Sequence, residues 1–318
     1  MTRNVADHAG VVLGAVASPS SAGRSALVAS WCRSALHHGL DPTDRAVRPR
    51  LNQRGIEVLR ESHDGLLAVA RPVLDDVFRN VGRTGCGVVL SDRNGTILER
   101  RVCAGDADDF ERVGLVEGAS WSEAQEGTNG IGTCLVENRP LVIHRDQHFA
   151  GRNIGMSCMD APVHDEQGQL IAALDVSSCR ADHGPAMSEM IGALVRDAAR
   201  RIERDYFCRG FDGARFVFLA DDMVRGSALL AVDRDDLVIG ASRAARIRLG
   251  LDDAALSRPR PVAQLLGSGA DTSFEDAERA VLRRALAQTD GNASRAARQL
   301  GIGRATLYRR MARAGVTD

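Results

Sequence analysis

The sequence predicts an α+β domain followed by a separate all-α helix-turn-helix, and three observations carry that prediction. Between Phe274 and Asp318 apolar residues recur at helical spacing, at Val281, Leu282, Leu286, Ala296, Ala297, Leu300, Leu307 and Met311. Gly291 and Gly301 punctuate that pattern, as glycines do where helices stop. Upstream, strand-like apolar runs flank the turn signals Asp92-Arg93-Asn94-Gly95 and Asp165-Glu166-Gln167-Gly168. Helical patterns lie on both sides of those runs, the order expected of an antiparallel sheet with flanking helices.

Composition narrows the field. The chain has 318 residues, enough for two or three domains. Hydrophobic residues make up 44% and charged residues 26%, the balance of a globular protein. Aromatics are only 4%, so the cores are built from aliphatics and alanine. No lysine occurs; all 41 basic residues are Arg. Schiff-base chemistry and the phosphate-binding P-loop are therefore excluded, and no cofactor is expected. The seven Cys form no CxxC pair and read as reduced thiols. No apolar run approaches the ~20 residues of a membrane span, so no membrane partner is expected. Gly10 to Ala17 imitates a signal h-region, but only Arg3 precedes it, offset by Asp7. The expectation is a cytoplasmic protein.

In chain order, residues 1–22 read as a loose leader and residues 23–83 as an N-terminal helical region. Leu27, Val28, Trp31, Ala35 and Leu36 form one face, closed by Gly39. Ile56, Leu59, Leu66, Leu67, Ala70, Leu74, Val77 and Phe78 form a second, with Pro72 marking a break or a new first turn. Residues 84–208 hold the sheet: a hairpin over 87–102, a Gly-rich polar interruption at 114–132, a short strand at Leu141-Val142-Ile143, and a hairpin over 160–177. A long helix from Pro185 to Phe207 closes that domain. Its apolar stripe fits a dimer contact or packing on its own sheet. A third hairpin turns at Arg234-Asp235-Asp236 within residues 211–256, and residues 257–273, with Pro259, Pro261 and Gly267, read as a linker.

The C-terminal stretch carries the clearest chemistry. Asn292 or Ser294 can cap the second helix, and Gly301-Ile302-Gly303 turns into the third. Arg304 to Arg313 is then the helix that would enter a major groove. From Glu275 to Asp318 there are nine Arg against five acidic residues, a net +4 in a chain whose formal charge is −1. The competing reading is a solvated Arg-rich tail. Against it, Ala296-Ala297 supply the close packing a tight turn requires, and the basic residues cluster late instead of alternating with acids. The expected partner is double-stranded DNA, with Arg304, Thr306 and Tyr308 nearest the groove and Arg295, Arg309 and Arg310 nearer phosphates.

Two resemblances attach to quoted residues. Gly291-Asn292-x-x-Arg295-Ala296-Ala297, Leu300-Gly301-Ile302 and Arg304-x-Thr306-Leu307-Tyr308-Arg309-Arg310 resemble the C-terminal domain of Fis and of Fis-type bacterial activators. Further upstream, Ser30-Trp31-x-Arg33, Gly39-Leu40-Asp41-Pro42, Trp121-Ser122-Glu123, Glu126-Gly127-Thr128-Asn129-Gly130-Ile131-Gly132-Thr133, Glu137-x-Arg139-Pro140, His148-Phe149, Ala161-Pro162 and Leu174-Asp175 resemble the sensor half of bacterial enhancer-binding regulators of the acetoin-catabolism type, which have a GAF domain. Residues 211–256 resemble the start of a PAS domain. Such regulators usually carry a sigma-54-interacting AAA+ ATPase of over 200 residues. Here only the linker separates the PAS-like piece from the helix-turn-helix, and without Lys no Walker A motif exists. The resemblance thus implies a homodimeric regulator that answers to a small-molecule effector without ATP hydrolysis. Contact with RNA polymerase and simple occlusion of it both fit.

Candidate ligand anchors fall in and near the Gly-rich loop: Thr128, Asn129, Thr133 and His148, with Trp121 as a wall. Two readings of that loop stand side by side, a ligand pocket lined by exposed N–H groups and a turn needing positive φ at Gly127, Gly130 or Gly132. Cys134, His144, His148, Cys158, Asp160 and His164 lack the spacing of a structural metal site, and no metal is expected. His144 and His148 would align only on a helix. The alternative functional class, a GAF-fold redox or thiol enzyme with an incidental basic tail, requires a reactive Cys beside an acid or His. No catalytic constellation stands out.

Overall fold

Asp92-Arg93-Asn94-Gly95 closes a hairpin because one carboxylate satisfies the turn. Asp92 Oδ1 accepts the backbone N–H of Asn94 at 2.9 Å and of Thr96 at 2.7 Å. Gly95 takes the left-handed φ of +83° that the bend requires. Asp165 does the same for the second hairpin, accepting from Gln167 and Gln169 at 2.9 and 2.8 Å. The computed structural model describes residues 5–18, 23, 25–44, 50–222, 226–267 and 274–316. They fall into two units, Met1–Pro259 and Arg260–Asp318.

The first unit begins with α1 (Val5–Ala17), α2 (Ala26–Cys32, extended by a π-helical turn to His37), α3 (Gln53–Ser62) and α4 (Asp64–Val81). Then come β1 (Cys86–Asp92), β2 (Ile97–Arg101), α5 (Ala107–Val113), α6 (Glu123–Glu126), α7 (Gly130–Glu137), β3 (Leu141–His144), β4 (Ser157–His164), β5 (Leu170–Ser178) and α8 (Pro185–Gly210). A smaller antiparallel run follows, β6 (Arg215–Asp222), β7 (Gly226–Val232) and β8 (Leu237–Ala241), with α9 (Arg243–Leu249) and α10 (Asp253–Leu256). The second unit holds α11 (Val262–Leu265), α12 (Phe274–Gln288), α13 (Ala293–Gln299) and α14 (Arg304–Ala314).

The five-stranded antiparallel sheet has the order β2-β1-β5-β4-β3. Its side chains alternate between two cores, as the period of two demands. Val88, Leu90, Met159, Ala161, Leu174 and Val176 pack with Leu67, Leu74 and Val77 of α4 and Ile191, Val195 and Ile202 of α8. Val89, Cys158 and Ala173 face the opposite way, onto Phe110 of α5, Trp121, and Ile131 and Cys134 of α7. The sheet is thus covered on both faces.

Several expectations need correction. Residues 1–22 are no loose leader throughout: Val5–Ala17 is helical, with His8 and Val12 buried and Val12 packed near Trp31 and Phe149. The rest of that leader, residues 1–4 and 19–22, lies outside the described residues, as do 45–49 and, in the expected linker, 268–273. The boundary at 84 cuts through a core, since α4 packs on the sheet. Pro72 sits inside α4 without breaking it. Its exposed edge leaves the unpaired carbonyl in water, while buried Leu66, Leu67, Ala70, Val73, Leu74 and Val77 offset a cost of about 3 kcal/mol. The break falls at His63 instead. The Gly-rich interruption contains α6 and α7, and only Gly127 of its three candidate glycines has positive φ, +68°. Leu36 is 74% exposed and lies off the apolar face assigned to it. No described helix is long and apolar enough to cross a membrane.

Gly130 and Gly132 are there for close approach. A Cβ on Gly130 would lie 2.1 Å from Asp160 Oδ2 and 2.5 Å from Cys158 Cβ; one on Gly132 would lie 2.3 Å from Glu123 N. Gly130→Ala is therefore expected to destabilise the first unit by about 1–3 kcal/mol in urea denaturation, as overpacking does. Gly14→Ala, in α1 with nothing within 4 Å of a Cβ, should leave it unchanged or stabilise it by about 0.5–1 kcal/mol. Equal effects of the two substitutions would refute the close-approach account.

Candidate nucleic-acid interface and ligand cavity

The second unit is a three-helix core whose turns are set by capping. Asp290 and Gly291 take φ of +53° and +77° to end α12. Asn292 then caps α13, its side-chain oxygen accepting from Arg295 N at 3.1 Å. Gly301, at φ +65°, turns the chain into α14. Ala296 and Ala297, at most 2% exposed, let α13 approach Leu307 and Met311 of α14 and Leu282 of α12. Gly303 caps α14 with no side-chain bond, so the first N–H groups of that helix have no side-chain acceptor.

The two faces of α14 differ sharply. Leu307, Met311 and Ala314 are buried, whereas Arg304, Ala305, Tyr308, Arg309 and Ala312 are exposed. Arg304 stacks its guanidinium over the Tyr308 ring, 5.6 Å from the centroid. Thr306 is half-buried beside them. Arg295, Arg304 and Arg309 take no ion-pair partner among the described residues. Arg310 does: its Nη1 donates to Glu278 Oε1 at 2.9 Å. Arg313 donates to the other Glu278 oxygen. Arg279 of α12 donates to the Ala314 carbonyl at 2.7 Å. Arg310 and Arg313 therefore fasten α14 to α12, and Arg310 stays exposed while it does so.

The Arg313 bond, and then the charges of Arg313 and Arg310, hold the Glu278 carboxyl below its usual range. A depressed carboxyl stabilises the fold above its unfolded value, and that contribution is lost as pH falls through the lowered one. Glu278→Gln in the full chain should accelerate hydrogen exchange in residues 274–316 at pH 7. The gap to wild type should close on acidification below the normal carboxylate range near 4.5. A gap that persists in acid would mean that the carboxylate charge is not what holds α12 to α14.

In the first unit a polar network joins α2 to the segment preceding α7. Arg33 clamps Glu123 in two bonds, Nε to Oε1 at 2.7 Å and Nη2 to Oε2 at 3.0 Å. That bond to Glu123 raises the Arg33 pKa further. Ser30 donates to Glu123 Oε2 at 3.1 Å and lies 2.7 Å from Thr128 Oγ1. Trp31 Nε1 donates to the Gln147 carbonyl at 2.8 Å. Arg33 also reaches Glu137 at 3.3 Å, and Arg139 pairs with the same carboxylate. Above this network a cavity of about 160 Å³ opens between Ala26 and Leu27 of α2, Thr128, Thr133 and Glu137, and Leu141, Val142 and Ile143 of β3.

Of the five expected anchors, Thr128 and Thr133 line that cavity. Trp121, Asn129 and His148 do not. Trp121 is 3% exposed in the sheet's second core, its Nε1 donating to Gly114 O at 3.0 Å. Asn129 is the N-cap of α7: its Oδ1 accepts from Gly132 N and its Nδ2 donates to Gly127 O, each at 2.8 Å. His148 is fully buried, with Nδ1 donating to Arg145 O at 2.9 Å and Nε2 3.3 Å from Cys158 Sγ. Burial drives its pKa down to about 4, so it is neutral. His144 ends β3 and bonds Ser157 Oγ at 2.8 Å; no helix aligns it with His148. Sequence reasoning missed Ser30 and Glu137 as cavity residues, and Arg33 and Glu123 as the pair beside them. Their motifs were visible, but nothing in the spacing joins residues some 90 positions apart.

Five of the seven thiols are held in their unreactive form. Burial pushes up the thiols of Cys86, Cys134, Cys158 and Cys208, and that of Cys179 to about 12. Such thiols are largely protonated at neutral pH and are poor nucleophiles.

Comparison with known proteins places both units. Residues 65–203 match the GAF domain and residues 273–313 match the bacterial regulatory protein, Fis family. The chain is 29% identical over 250 residues to the acetoin catabolism regulatory protein of Cupriavidus necator, covering 77% of this chain and 37% of that protein. It is 28% identical over 152 residues to the acetoin dehydrogenase operon transcriptional activator AcoR of Bacillus subtilis, 48% of this chain and 25% of the relative. It is 30% identical over 183 residues to the propane 2-monooxygenase operon transcriptional activator MimR of Mycolicibacterium smegmatis, 56% and 29%. The chain thus spans well under half the length of these relatives. The solved structure of the E. coli DhaR(N)-DhaL complex superposes with a TM-score of 0.52 at 15% identity, over 75% of this chain and 81% of that one, so the fold is shared. Residues 204–272, between the two matched regions, are too few for an AAA+ module. The chain thus combines a GAF domain with a Fis-family helix-turn-helix and is similar to regulators of acetoin catabolism, with no room for an AAA+ module between the two matched regions.

Proposed function

We propose that this chain is a transcriptional regulator that binds double-stranded DNA through α13 and α14 and responds to a small molecule held by its GAF domain, without enzymatic activity. The observation that carries the reading is the division of arginines in the second unit. Arg310 and Arg313 share the one Glu278 carboxylate, while the exposed Arg295, Arg304 and Arg309 take no ion-pair partner among the described residues and α14 starts without a side-chain cap. Backbone N–H groups and guanidiniums so grouped suit phosphates and the edges of a major groove. Arg304, Thr306 and Tyr308 are assigned to the bases, Arg295 and Arg309 to phosphates. The relatives named as operon activators support the same output. A homodimer would present two such helices to a palindromic site, in the cytoplasm and within reach of RNA polymerase.

For the effector, Ser30, Thr128 and Thr133 offer hydroxyls in a cavity of about 160 Å³ with apolar walls. That volume suits a molecule of a few heavy atoms. Ala26→Trp fills it and should abolish any thermal-shift response to a metabolite that wild type binds. A response that survives the substitution would move the effector site elsewhere.

Gel-shift titration against DNA upstream of the chain's own reading frame tests the output. Arg309→Ala should lower the slope of log affinity against log salt by about one, the loss of one phosphate contact. Arg310→Ala should lower the slope less than Arg309→Ala does, because Glu278 already offsets part of its charge. Salt-insensitive binding that is equal in wild type and in the Arg304→Ala, Arg309→Ala double variant would sink the DNA-contact assignment.

A further inference from the structure

Two carboxylic acids face each other inside the sheet with no cation beside them among the described residues. Asp160 of β4 and Asp175 of β5 are cross-strand partners, each 1% exposed. Asp175 is supported by the Ser177 hydroxyl, 2.9 Å from both its oxygens. Neither oxygen of Asp160 receives an N–H or a hydroxyl. Its polar neighbour is the Asp175 carboxyl, and two carboxyls hydrogen-bond only through a proton. The other side of Asp160 abuts α7 so closely that a Cβ on Gly130 would stand 2.1 Å from Oδ2.

Among the described residues no counter-charge stands beside the pair. From α7 the pair meets Cys134; from β4, Cys158, which contacts His148. In register beside it are Val89 of β1 and Leu141 of β3. Both thiols are pushed up by burial and by these carboxyls, and His148 is neutral. Arg139, past the end of α7, is paired with Glu137. The Ser177 hydroxyl on Asp175 and the N-terminal N–H dipoles of α7 favour negative charge here. Burial, and the neighbouring acid, raise Asp160 well above its ordinary value; burial raises Asp175 to about 7.

We infer that Asp160 and Asp175 share protons as a pH-operated latch on α7. With a proton between them, the first turn of α7 rests on a pair carrying at most one charge. When the last proton leaves, two like charges lie under that turn and it loosens. Thr133 and Glu137 of the same helix line the cavity, so the latch bears on cavity geometry whatever molecule the cavity takes.

The direction follows from linkage. In the unfolded chain these carboxyls ionise near 3.8, so folding takes up protons above that pH. The pair's contribution is complete below about 3.8 and declines as pH rises through about 7. Hydrogen exchange of residues 130–137 in the full chain, corrected for intrinsic rates, reads the latch directly. Opening should increase at least tenfold per pH unit between pH 5 and 7, the effect of one proton released on opening. In Asp160→Asn the amide can donate to an ionised Asp175, and this pH dependence should disappear; Asp175→Asn should reduce it likewise. Opening that is the same at pH 5 and 7, or Asn variants that keep the wild-type slope, would overturn the proposal. Infrared spectroscopy of wild type needs no variant: a buried protonated-carboxyl band at pH 6 is expected, and its absence overturns the latch.

Discussion

The close approach of α7 to β4 is the constraint on which the first unit depends. A sheet covered on both faces needs something thin over its middle, and Gly130 and Gly132 provide it by having no side chain to displace Asp160, Cys158 and the Glu123 backbone. Once α7 sits there, Asn129 must cap it, because a buried helix start cannot leave its N–H groups to water. Thr128 is then carried to Ser30, and Glu123 to Arg33. The helical segment ahead of the sheet is bound to the domain by this second consequence. Its own apolar faces contribute through Trp31 and Val12, yet the bidentate Arg33–Glu123 pair fixes which residues of α2 border the cavity.

Much of this was legible in the residues, and the illegible part has a physical cause. The hairpins at Asp92–Gly95 and Asp165–Gly168 announced themselves, because an Asp that accepts two turn N–H groups and a Gly at positive φ are local devices. The long helix after the sheet was equally plain, since its apolar stripe runs for about four turns. Gly130 and Gly132 were misjudged because a glycine needed for lack of bulk looks, in one dimension, like a glycine needed for positive φ. Pro72 was misjudged because local propensity carries about 3 kcal/mol and six buried side chains outweigh it. Trp121 and His148 were sensible pocket candidates by residue type, but the sheet's second core claims the first and a carbonyl bond and burial claim the second.

The C-terminal unit makes the same point with charge. A run of arginines read along the chain gives one undivided positive patch. Folding divides it, because Glu278 on α12 pairs with Arg310 and Arg313 and leaves Arg304 and Arg309 without an ion-pair partner among the described residues. Net charge alone overstates the number of phosphate contacts such a helix can make, and counterion release counts only guanidiniums that still need a partner. The pairing also orients the helix. Leu307 and Met311 set its depth in the core, while the two guanidiniums gripping one carboxylate fix its rotation. Those two constraints together decide that Tyr308, with Arg304 stacked on its ring, faces outward. A helix free to roll by one residue, about 100°, would present a different set of side chains to a groove. The internal acid that lowers the charge of the interface is therefore also what gives the remaining charges a defined place.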